Sequence, residues 1–403
     1  MKYIIAVPDG ATDRLSDYPN GDTPLFCAET PTMDELADRA EAGWAKTVPN
    51  GFPPGSDVAL LSIFGYNPAD VYTGRAPLEA ASLGVALNDK AAFRCNLVTI
   101  GDGVMKEFTA GHISTEEAGQ IVQDLDREFR KENVRFYTGV QYRHIMTAPP
   151  SFAAVECTPP HDITDKEIAP HLPRGGSQTI IRSLMEKSQA IMADHPVNLK
   201  RIAAGKPPAT QIWLWGQGTE PMLPPYSIRC GLSGSVISAV DLIKGIGTLA
   251  GLEIVKVAGA TGLQDTNYEG KADAALAVLR KNDFVLIHVE GPDEMGHKGD
   301  AAMKTQCLAD FDRRMLRRLV EGLRAWGEHF RLLLLPDHPT PIALKTHVNE
   351  PVPFILYDSR DAGVKGTGGF SEISIQRRES RIVPGYRLLD VLRENISLSS
   401  LDA

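Results

Sequence analysis

The sequence predicts an α/β protein with a mostly parallel central sheet flanked by helices, and with one small inserted α+β domain. Three observations support this prediction. Short, nearly continuous apolar segments recur along the chain and are closely followed by Pro or Gly. Amphipathic helical segments lie between them, and one stretch in the middle of the chain has a different pattern. Strands that alternate with helices are typical of a parallel sheet that is covered on both faces.

The apolar segments are predicted to be buried strands. The clearest three are Tyr3–Val7, Phe284–Val289 and Phe330–Leu335, and two further candidates are Gln211–Trp215 and Pro353–Tyr357. Each is too short for a typical helix and lacks the alternation of a half-exposed strand, which favours burial on both faces.

The segment from about Leu308 to Trp326 is predicted to be an amphipathic helix. Its apolar residues recur at helical spacing on one face: Leu308, Phe311, Met315, Leu319 and Leu323. Its arginines lie mostly off that face. A solvated helix surface explains this arginine run better than nucleic-acid binding does.

The middle of the chain begins with a second predicted helix. Ser114, followed three residues later by Glu117, forms a capping-box pattern and opens a helix to about Lys131. The stretch 134–147 then alternates around Gly139 like a β-hairpin. This order of elements predicts a small α+β module.

The predicted domain limits follow from this change of pattern. Residues 148–176 are rich in Pro, Gly and charge. We therefore expect an inserted α+β cap domain at 108–178, and a discontinuous metal-binding catalytic domain made of 1–107 and 179–403.

Composition limits the classes of function. The chain has 403 residues, of which 43% are hydrophobic, and a formal net charge of -9, which argues against a basic groove for nucleic acid. The five cysteines are scattered and form no CxxC pair, which indicates reduced thiols in a cytosolic protein. No segment approaches the roughly 18 apolar residues needed to span a bilayer, and the N-terminus does not read as a signal peptide. We expect a cytoplasmic protein that binds neither nucleic acid nor membrane, and self-association is left open.

Acidic and imidazole side chains follow three of the predicted strands. They are Asp9, Asp293, His297, Asp337, His338 and, nine residues later, His347. Ligands of open parallel sheets bind beyond the carboxyl ends of the strands, where these residues should meet. Any one of them alone is more simply a cap, a turn former or a structural histidine. Together they suit divalent ions, Mn²⁺ first, with Zn²⁺, Co²⁺ or Mg²⁺ as alternatives, and their number fits two ions about 4 Å apart.

A candidate nucleophile precedes a predicted helix. Pro53, Pro54 and Gly55 form a turn, and a helix follows from Val58. Ser56 would then lie at a helix N-terminus, where free N–H groups favour an anion. From the local sequence, a simple N-cap role for Ser56 is the stronger alternative.

At these residues the chain resembles the cofactor-independent (2,3-bisphosphoglycerate-independent) phosphoglycerate mutases, specifically their archaeal-type branch. The similar motifs are PDG at 8–10, PPGSDVA at 53–59, YTGRAPLEAASLG at 72–84, AFRCNL at 92–97, GATGLQDTNYEGKA at 259–272, DEMGH at 293–297 and PDH at 336–338. The resemblance implies an alkaline-phosphatase-like core with an inserted cap. It also implies one metal held by Asp9, Ser56, Asp337 and His338, and another held by Asp293, His297 and His347.

The implied reaction interconverts 3-phosphoglycerate and 2-phosphoglycerate through a phosphoserine at Ser56, in glycolysis or gluconeogenesis. A mutase must keep water from the phosphoserine, and a closing cap would serve that need. The alternatives are another enzyme of the alkaline phosphatase superfamily (a phosphomonoesterase, phosphopentomutase or phosphonate hydrolase) and a metal-binding protein without catalysis.

Planar guanidinium groups suit the anionic ends of this substrate. The candidate substrate-binding residues are Arg75, Arg94, His112, Arg143 and His144. For each of them, the alternative interpretation is an ordinary surface residue that does not contact the substrate. The pair His161 and Asp162 is a weaker candidate, and His288 and Glu290 are expected to lie behind the ligands rather than to bind metal.

Overall fold

The computed structural model describes residues 1–361, 363–366 and 368–401. The chain divides into two compact units. Unit 1 consists of Met1–Tyr72 and Leu223–Ala403, and unit 2 consists of Thr73–Met222. Among the described residues, no helix is both long and apolar enough to cross a bilayer.

Strands occur in both units. In chain order they are β1 (Lys2–Pro8), β2 (Glu41–Lys46), β3 (Ala91–Gly101), β4 (Val104–Glu107), β5 (Arg135–Val140), β6 (Arg143–Ala148), β7 (Gln211–Thr219), β8 (Gly234–Ile237), β9 (Glu253–Val255), β10 (Phe284–Val289), β11 (Phe330–Leu334), β12 (Val352–Asp358) and β13 (Ile382–Pro384).

Helices connect and cover these strands. In chain order they are α1 (Pro24–Cys27), α2 (Pro31–Arg39), α3 (Ser56–Ile63), α4 (Pro68–Val71), α5 (Arg75–Ser82), α6 (Thr115–Phe129), α7 (Gln178–Ala193), α8 (Pro196–Ala203), α9 (Tyr226–Arg229), α10 (Asp241–Leu249), α11 (Tyr268–Leu279), α12 (Gly291–Lys298), α13 (Ala301–Asp310), α14 (Arg317–Trp326), α15 (Glu372–Arg378) and α16 (Leu388–Leu392). A π-helical segment, Phe311–Leu316, joins α13 to α14.

Unit 1 is built on an eight-stranded sheet in the order β13-β2-β12-β11-β1-β10-β8-β9. The five strands β11, β1, β10, β8 and β9 run parallel to one another, whereas β12 runs antiparallel to both β11 and β2. The central strands β1, β10 and β11 are apolar because helices cover the sheet and remove their side chains from water. The prediction of an α/β fold with a mostly parallel central sheet is confirmed.

The register of this sheet aligns the chain positions that follow the strands. Ala6 of β1 pairs with Ile287 of β10 on one side and with Leu334 of β11 on the other. Three residues beyond these partners come Asp9, Glu290 and Asp337, so the three strands deliver polar side chains at one level of the same edge. Helix α12 begins directly after Glu290 and carries two further candidate ligands.

Unit 2 contains an antiparallel sheet in the order β4-β3-β6-β5, with β7 also paired to β3. The predicted capping box is present, since the side chain of Ser114 accepts a hydrogen bond from the Glu117 N–H and Glu117 accepts one from the Ser114 N–H. The predicted hairpin is also present as β5 and β6, but it turns at Gln141 and Tyr142 rather than at Gly139.

The domain limits expected from composition differ from those of the structure. Positions 108 and 178 lie inside unit 2, which extends from Thr73 to Met222. The reason is the pairing of β3 with β7, because Leu97 faces Ile212 across an antiparallel ladder. The predicted strand Gln211–Trp215 therefore belongs to the sheet of unit 2 rather than to the catalytic domain in which it was expected.

Candidate metal centre and active site

The seven predicted metal-site residues all lie in unit 1, on chain segments that converge at the carboxyl edge of its sheet. Asp9 follows β1, Asp337 and His338 follow β11, and His347 lies in the loop before β12. Asp293 and His297 lie one helical turn apart in α12, which puts both side chains on one face. Ser56 is the first residue of α3.

One group of potential ligands consists of Asp9, Asp337 and His338, whose donor atoms all lie within 4.8 Å of one another. All three residues are buried. His338 Nε2 lies 3.2 Å from Asp337 Oδ2 and 3.7 Å from Asp9 Oδ1. Two carboxylates and an imidazole form a donor set that suits a divalent cation.

A second group consists of Asp293, His338 and His347, also within 4.8 Å of one another. His297 lies beside it, since its Nε2 is 3.2 Å from Asp293 Oδ2 and 3.0 Å from His347 Nε2. Both groups therefore contain His338, whereas the resemblance assigns His338 to one metal and His297 to the other.

Ser56 lies next to the first group. Its hydroxyl oxygen is 3.0 Å from His338 Nε2. The N-cap position of α3 is occupied by Gly55, and Ser56 is the first helical residue. The cap interpretation of Ser56 is therefore wrong, and its hydroxyl points to the ligand cluster at the positive end of a helix.

The carboxylate oxygens of this site are not equivalent. Asp337 Oδ1 accepts hydrogen bonds from the backbone N–H groups of Gly10 and His338, at 3.1 Å and 2.9 Å. Asp9 Oδ2 lies 2.8 Å from His288 Nε2. The other two oxygens, Asp9 Oδ1 and Asp337 Oδ2, are buried and make no hydrogen bond within the described part of the chain. Buried polar atoms are rarely left without a partner, so the residues present fit a bound cation.

Electrostatics also fit a cation at this place. Burial, together with the charges of Asp337 and Asp293, holds the pKa of Asp9 well above its ordinary value. Burial would also raise the pKa of Asp293, but hydrogen bonds from His297 and His347 outweigh burial and hold it well below its ordinary value. Three buried carboxyl groups, Asp9, Asp293 and Asp337, thus lie close enough to influence one another, and a divalent cation would stabilise their charged forms.

Thr340 and Lys304 tie the ligand-bearing segments together. Thr340 Oγ1 donates to Asp293 Oδ1 at 2.5 Å, which links the loop after β11 to α12. Lys304 of α13 is fully buried, and its ammonium donates to Asp13 Oδ2 at 2.6 Å, to the Thr340 carbonyl at 2.9 Å and to the Thr12 carbonyl at 3.2 Å. One side chain thus joins the loops that follow β1 and β11.

Two of the predicted substrate-binding arginines share one carboxylate in unit 2. Arg75 Nε and Arg94 Nε each lie 2.9 Å from an oxygen of Glu79, and the Arg94 guanidinium stacks 4.2 Å from the centre of the Trp215 ring. Burial would raise the pKa of Glu79, but Arg94 and Arg75 outweigh burial and lower it. Burial lowers the pKa of Arg94 to about 10, so its guanidinium remains charged at neutral pH. Both arginines are therefore oriented cations.

The other three candidates have different surroundings. Arg143 is exposed, and its guanidinium lies 5.4 Å from the Tyr142 ring centre. His144 is buried and its Nδ1 accepts a hydrogen bond from the Gly139 N–H at 3.1 Å, whereas its Nε2 has no hydrogen-bond partner in the described residues. His112 is exposed, and its backbone N–H donates to the Thr109 hydroxyl at 3.0 Å.

Comparisons with known proteins agree over nearly the whole chain. A family profile of 2,3-bisphosphoglycerate-independent phosphoglycerate mutase matches residues 37–198. A protein of that name from Methanosarcina acetivorans is 49% identical over 394 residues, covering 97% of this chain and 99% of its own. A second, from Methanothermobacter thermautotrophicus, is 46% identical over 399 residues and 98% of each chain.

The chain belongs to the 2,3-bisphosphoglycerate-independent phosphoglycerate mutases. Solved structures agree with this membership. A protein of Pyrococcus horikoshii has a TM-score of 0.81 at 28% identity, covering 98% of this chain and 96% of its own. The cofactor-independent phosphoglycerate mutase of Thermoplasma acidophilum has a TM-score of 0.65 at 25% identity, covering 98% of this chain and 100% of its own.

The sequence reasoning missed several residues that hold the predicted site residues of each unit in place. Glu79 could have been found, because it lies four residues after Arg75, a spacing at which a salt bridge is favoured if the segment is helical, as it is in α5. Trp215 was assigned to the wrong domain, which hid its stacking on Arg94. Thr340 and Lys304 carry no local signal, since their partners are distant in the sequence.

Proposed function

We propose that this chain interconverts 3-phosphoglycerate and 2-phosphoglycerate without 2,3-bisphosphoglycerate, and that Ser56 carries the phosphoryl group between the two positions. The observation that supports this most is the place of Ser56. Ser56 does not cap helix α3, and its hydroxyl oxygen lies 3.0 Å from His338 Nε2. His338 in turn lies next to the buried oxygens Asp9 Oδ1 and Asp337 Oδ2, which have no hydrogen-bond partner within the described part of the chain.

Two divalent cations would be held by seven residues of unit 1. We propose the residues Asp9, Ser56, Asp337 and His338 for one cation and Asp293, His297 and His347 for the other. When bound, they would supply positive charge that neutralises phosphate oxygens and favours the alkoxide form of the serine. We propose Mn²⁺ first, with Zn²⁺, Co²⁺ and Mg²⁺ as alternatives.

The reaction would consist of two phosphoryl transfers, the first to Ser56 and the second from Ser56 to glycerate. Ser56 Oγ loses its proton and forms a bond to phosphorus as the bond from phosphorus to the 3-oxygen of the substrate breaks, and that oxygen keeps the electron pair and takes up one proton. Glycerate then turns, its 2-hydroxyl loses a proton and bonds to phosphorus, and the bond from phosphorus to Ser56 Oγ breaks, so that Oγ keeps the electron pair and takes up one proton. Water must be excluded between the two steps, and a cap role for the inserted domain remains our proposal for how this is done.

We propose that the guanidinium groups of Arg75 and Arg94 bind anionic groups of the substrate, with Arg143, His144 and His112 as further candidates. Glu79 supports this role because it holds both arginines and limits their freedom before substrate binds. Residence in the cytoplasm and self-association also remain proposals.

The test is a coupled assay that starts from 3-phosphoglycerate with no bisphosphoglycerate added. We expect 2-phosphoglycerate to form in the presence of Mn²⁺, and activity to be lost after chelation and restored by Mn²⁺. Ser56→Ala should abolish turnover, whereas Ser399→Ala, the same change at an exposed serine of the same unit, should retain it.

The same assay distinguishes the alternatives. Release of inorganic phosphate in place of 2-phosphoglycerate would mean a phosphomonoesterase, since a hydrolase admits water to the phosphoserine. Turnover of a pentose phosphate but not of phosphoglycerate would mean a phosphopentomutase, and cleavage of a phosphonate would mean a phosphonate hydrolase. Mn²⁺ binding without any turnover would mean a metal-binding protein without catalysis. Full activity of Ser56→Ala would overturn the phosphoserine route.

A further inference from the structure

His288 is a fully buried histidine inside the apolar strand β10, and the metal ligand set proposed above does not include it. It pairs with Val7 of β1, two residues before Asp9. Its Nε2 lies 2.8 Å from Asp9 Oδ2, and its Nδ1 lies 3.3 Å from the hydroxyl of Ser238. A buried imidazole with both nitrogens in contact has a fixed orientation.

The hydrogen-bond partners determine which nitrogen carries the proton. The Ser238 hydroxyl oxygen accepts a hydrogen bond from the Val240 N–H at 3.0 Å, which leaves its own hydrogen free to be donated. Because the ionised carboxylate of Asp9 can only accept, Nε2 is the donor of the ring and Nδ1 is the acceptor of the Ser238 hydrogen. The proton of the neutral ring is then on Nε2 and is donated to Asp9 Oδ2.

The backbone of His288 is anchored as well. The ammonium of Lys271, which is fully buried in α11, donates to the His288 carbonyl at 2.8 Å. The imidazole therefore rests on a strand that is fixed at this residue by a second element. A fixed support is what a residue needs in order to orient a neighbour.

We propose that His288 is a positioning residue for the metal centre: it binds one oxygen of Asp9 and so presents the other oxygen, Oδ1, to the cation. Asp9 Oδ1 has no hydrogen-bond partner among the residues that the structure describes, and it lies 3.7 Å from His338 Nε2. Without His288, the buried oxygen Asp9 Oδ2 would lose its hydrogen-bond donor. The carboxylate would then be free to rotate, and Oδ1 would no longer be held toward the cation. This inference rests on the proposed function, because it requires the metal centre of that proposal.

The test compares Mn²⁺ affinity among variants of the full chain, measured directly by titration of chelator-treated protein and detection of free Mn²⁺ by electron paramagnetic resonance. His288→Leu removes the donor, and we expect Mn²⁺ to bind about 10–100-fold more weakly, as when the partners of other metal ligands are removed. His288→Gln places an amide N–H near the position of Nε2, and we expect affinity within a few-fold of wild type. Ser238→Ala should give an intermediate loss, because it removes only the preference for one tautomer.

A matched control is available in unit 2. His195 is also buried, its Nδ1 accepts a backbone hydrogen bond from Val197, and its Nε2 lies 3.4 Å from Asp124 Oδ2. His195→Leu removes an equivalent imidazole that contacts none of the proposed metal ligands in the described part of the chain, and Mn²⁺ affinity should not change. Circular dichroism on each variant identifies those that fold, and if His288→Leu does not fold, Ser238→Ala and His288→Gln decide the question.

Wild-type Mn²⁺ affinity in a folded His288→Leu variant would overturn the proposal. Equal weakening in His288→Leu and His288→Gln would also overturn it, because packing rather than the donated hydrogen bond would then be responsible. Failure of the wild-type chain to bind Mn²⁺ would overturn the metal centre itself and, with it, this inference. If mutase activity and Mn²⁺ affinity are the same in the wild type and in the His288 variants, only the positioning role is overturned.

Discussion

The buried ammonium of Lys304 offers a severe test of how the ligand-bearing loops are held. The change Lys304→Met keeps the length and the apolar stem of the side chain but removes three donated hydrogen bonds, to Asp13, Thr12 and Thr340. Lys304 and Asp13 are both fully buried as side chains, so the substitution leaves a carboxylate in the interior without its counter-charge.

The magnitude follows from that unpaired charge. Asp13 Oδ1 keeps two donors, the Tyr18 hydroxyl and the Ile342 N–H, whereas Oδ2 loses the ammonium. Removal of one partner of a buried ion pair costs about 3–5 kcal/mol of unfolding free energy. Because part of the carboxylate remains hydrogen-bonded, we expect the loss to lie near the lower end of this range, about 3 kcal/mol.

The assay is equilibrium denaturation at fixed Mn²⁺ concentration, with Lys256→Met as the control because Lys256 is an exposed lysine of the same unit. The control should change the unfolding free energy by less than about 0.5 kcal/mol. The double variant Lys304→Met with Asp13→Asn removes both charges and should recover about 1–3 kcal/mol relative to Lys304→Met alone. Mn²⁺ affinity should fall in the single variant, since the loops after β1 and β11 lose their common tie.

Two results would refute this reasoning. The first is a Lys304→Met variant as stable as the control, which would mean that water or another group replaces the ammonium at no cost. The second is a double variant that is less stable than Lys304→Met by the same unfolding free energy that Asp13→Asn costs in the wild type. Such additivity would mean that the two charges do not stabilise each other.

Two further predictions concern a histidine and a glycine. Burial lowers the pKa of His144 to about 3, against about 6.5 in the unfolded chain, so the unfolded state binds more protons between these values and stability falls as the pH drops below 6.5. His144 should contribute about 2 kcal/mol to the loss of stability between pH 7.5 and pH 5, so the fall over this interval should be smaller by that amount in His144→Asn than in the wild type when both are followed by denaturation; an equal pH slope in both proteins would contradict this. Gly10 has a φ of +60°, and a Cβ at this position would lie 2.5 Å from Asp293 Oδ1. Gly327 has a similar φ of +72°, but a Cβ there would have no other described residue's atom within 4 Å beyond its chain neighbours. Gly10→Ala should therefore weaken Mn²⁺ binding as well as stability, and Gly327→Ala should cost only the backbone strain of about 1–2 kcal/mol in calorimetry; equal Mn²⁺ affinity in both variants would contradict the steric argument.

The strands that the sequence predicts are those buried on both faces. β1, β10 and β11 each form a continuous apolar run because helices cover them, and that burial is visible in composition. The strands β8, β9 and β13 are three or four residues long, too short to show a pattern. β2 was also missed, because its sequence EAGWAK contains a glycine and two charges and resembles no buried strand.

The predicted continuous helix from Leu308 to Trp326 shows a different limit of pattern reasoning. Its apolar face is correct, but the chain widens into a π-helical segment at Phe311–Leu316. There, the buried carboxylate of Asp312 accepts hydrogen bonds from the N–H groups of Thr32 and Met33, at 3.1 Å and 2.6 Å, at the start of α2. Hydrophobic periodicity is read within one helix, whereas the π-helical segment places Asp312 where it satisfies free N–H groups at the N-terminus of α2.

The candidate site was accessible from the sequence at the level of residue types, because parallel strands of similar register must end together. The spacing of Asp293 and His297 fixes one helical face, and Asp9 and Asp337 follow paired strands at the same distance. Such arguments place side chains but do not distinguish the two oxygens of a carboxylate. That distinction depends on donors such as His288 and Thr340, whose identity as partners exists only once the sheet has formed.

The two ways of holding a carboxylate in this centre have different physical consequences. Asp337 is held by two backbone N–H groups, which do not depend on the identity of a side chain and which favour its charged form. Asp9 is held by one imidazole, and burial and its acidic neighbours raise its pKa, so its orientation and its charge both depend on side chains. Asp9, like Asp293 with its Thr340 donor, is therefore a ligand whose geometry a side-chain substitution can alter without changing the ligand itself. A variant of His288 should for that reason change the affinity for the cation, whereas the donors to Asp337 could be removed only by a proline, which also changes the backbone.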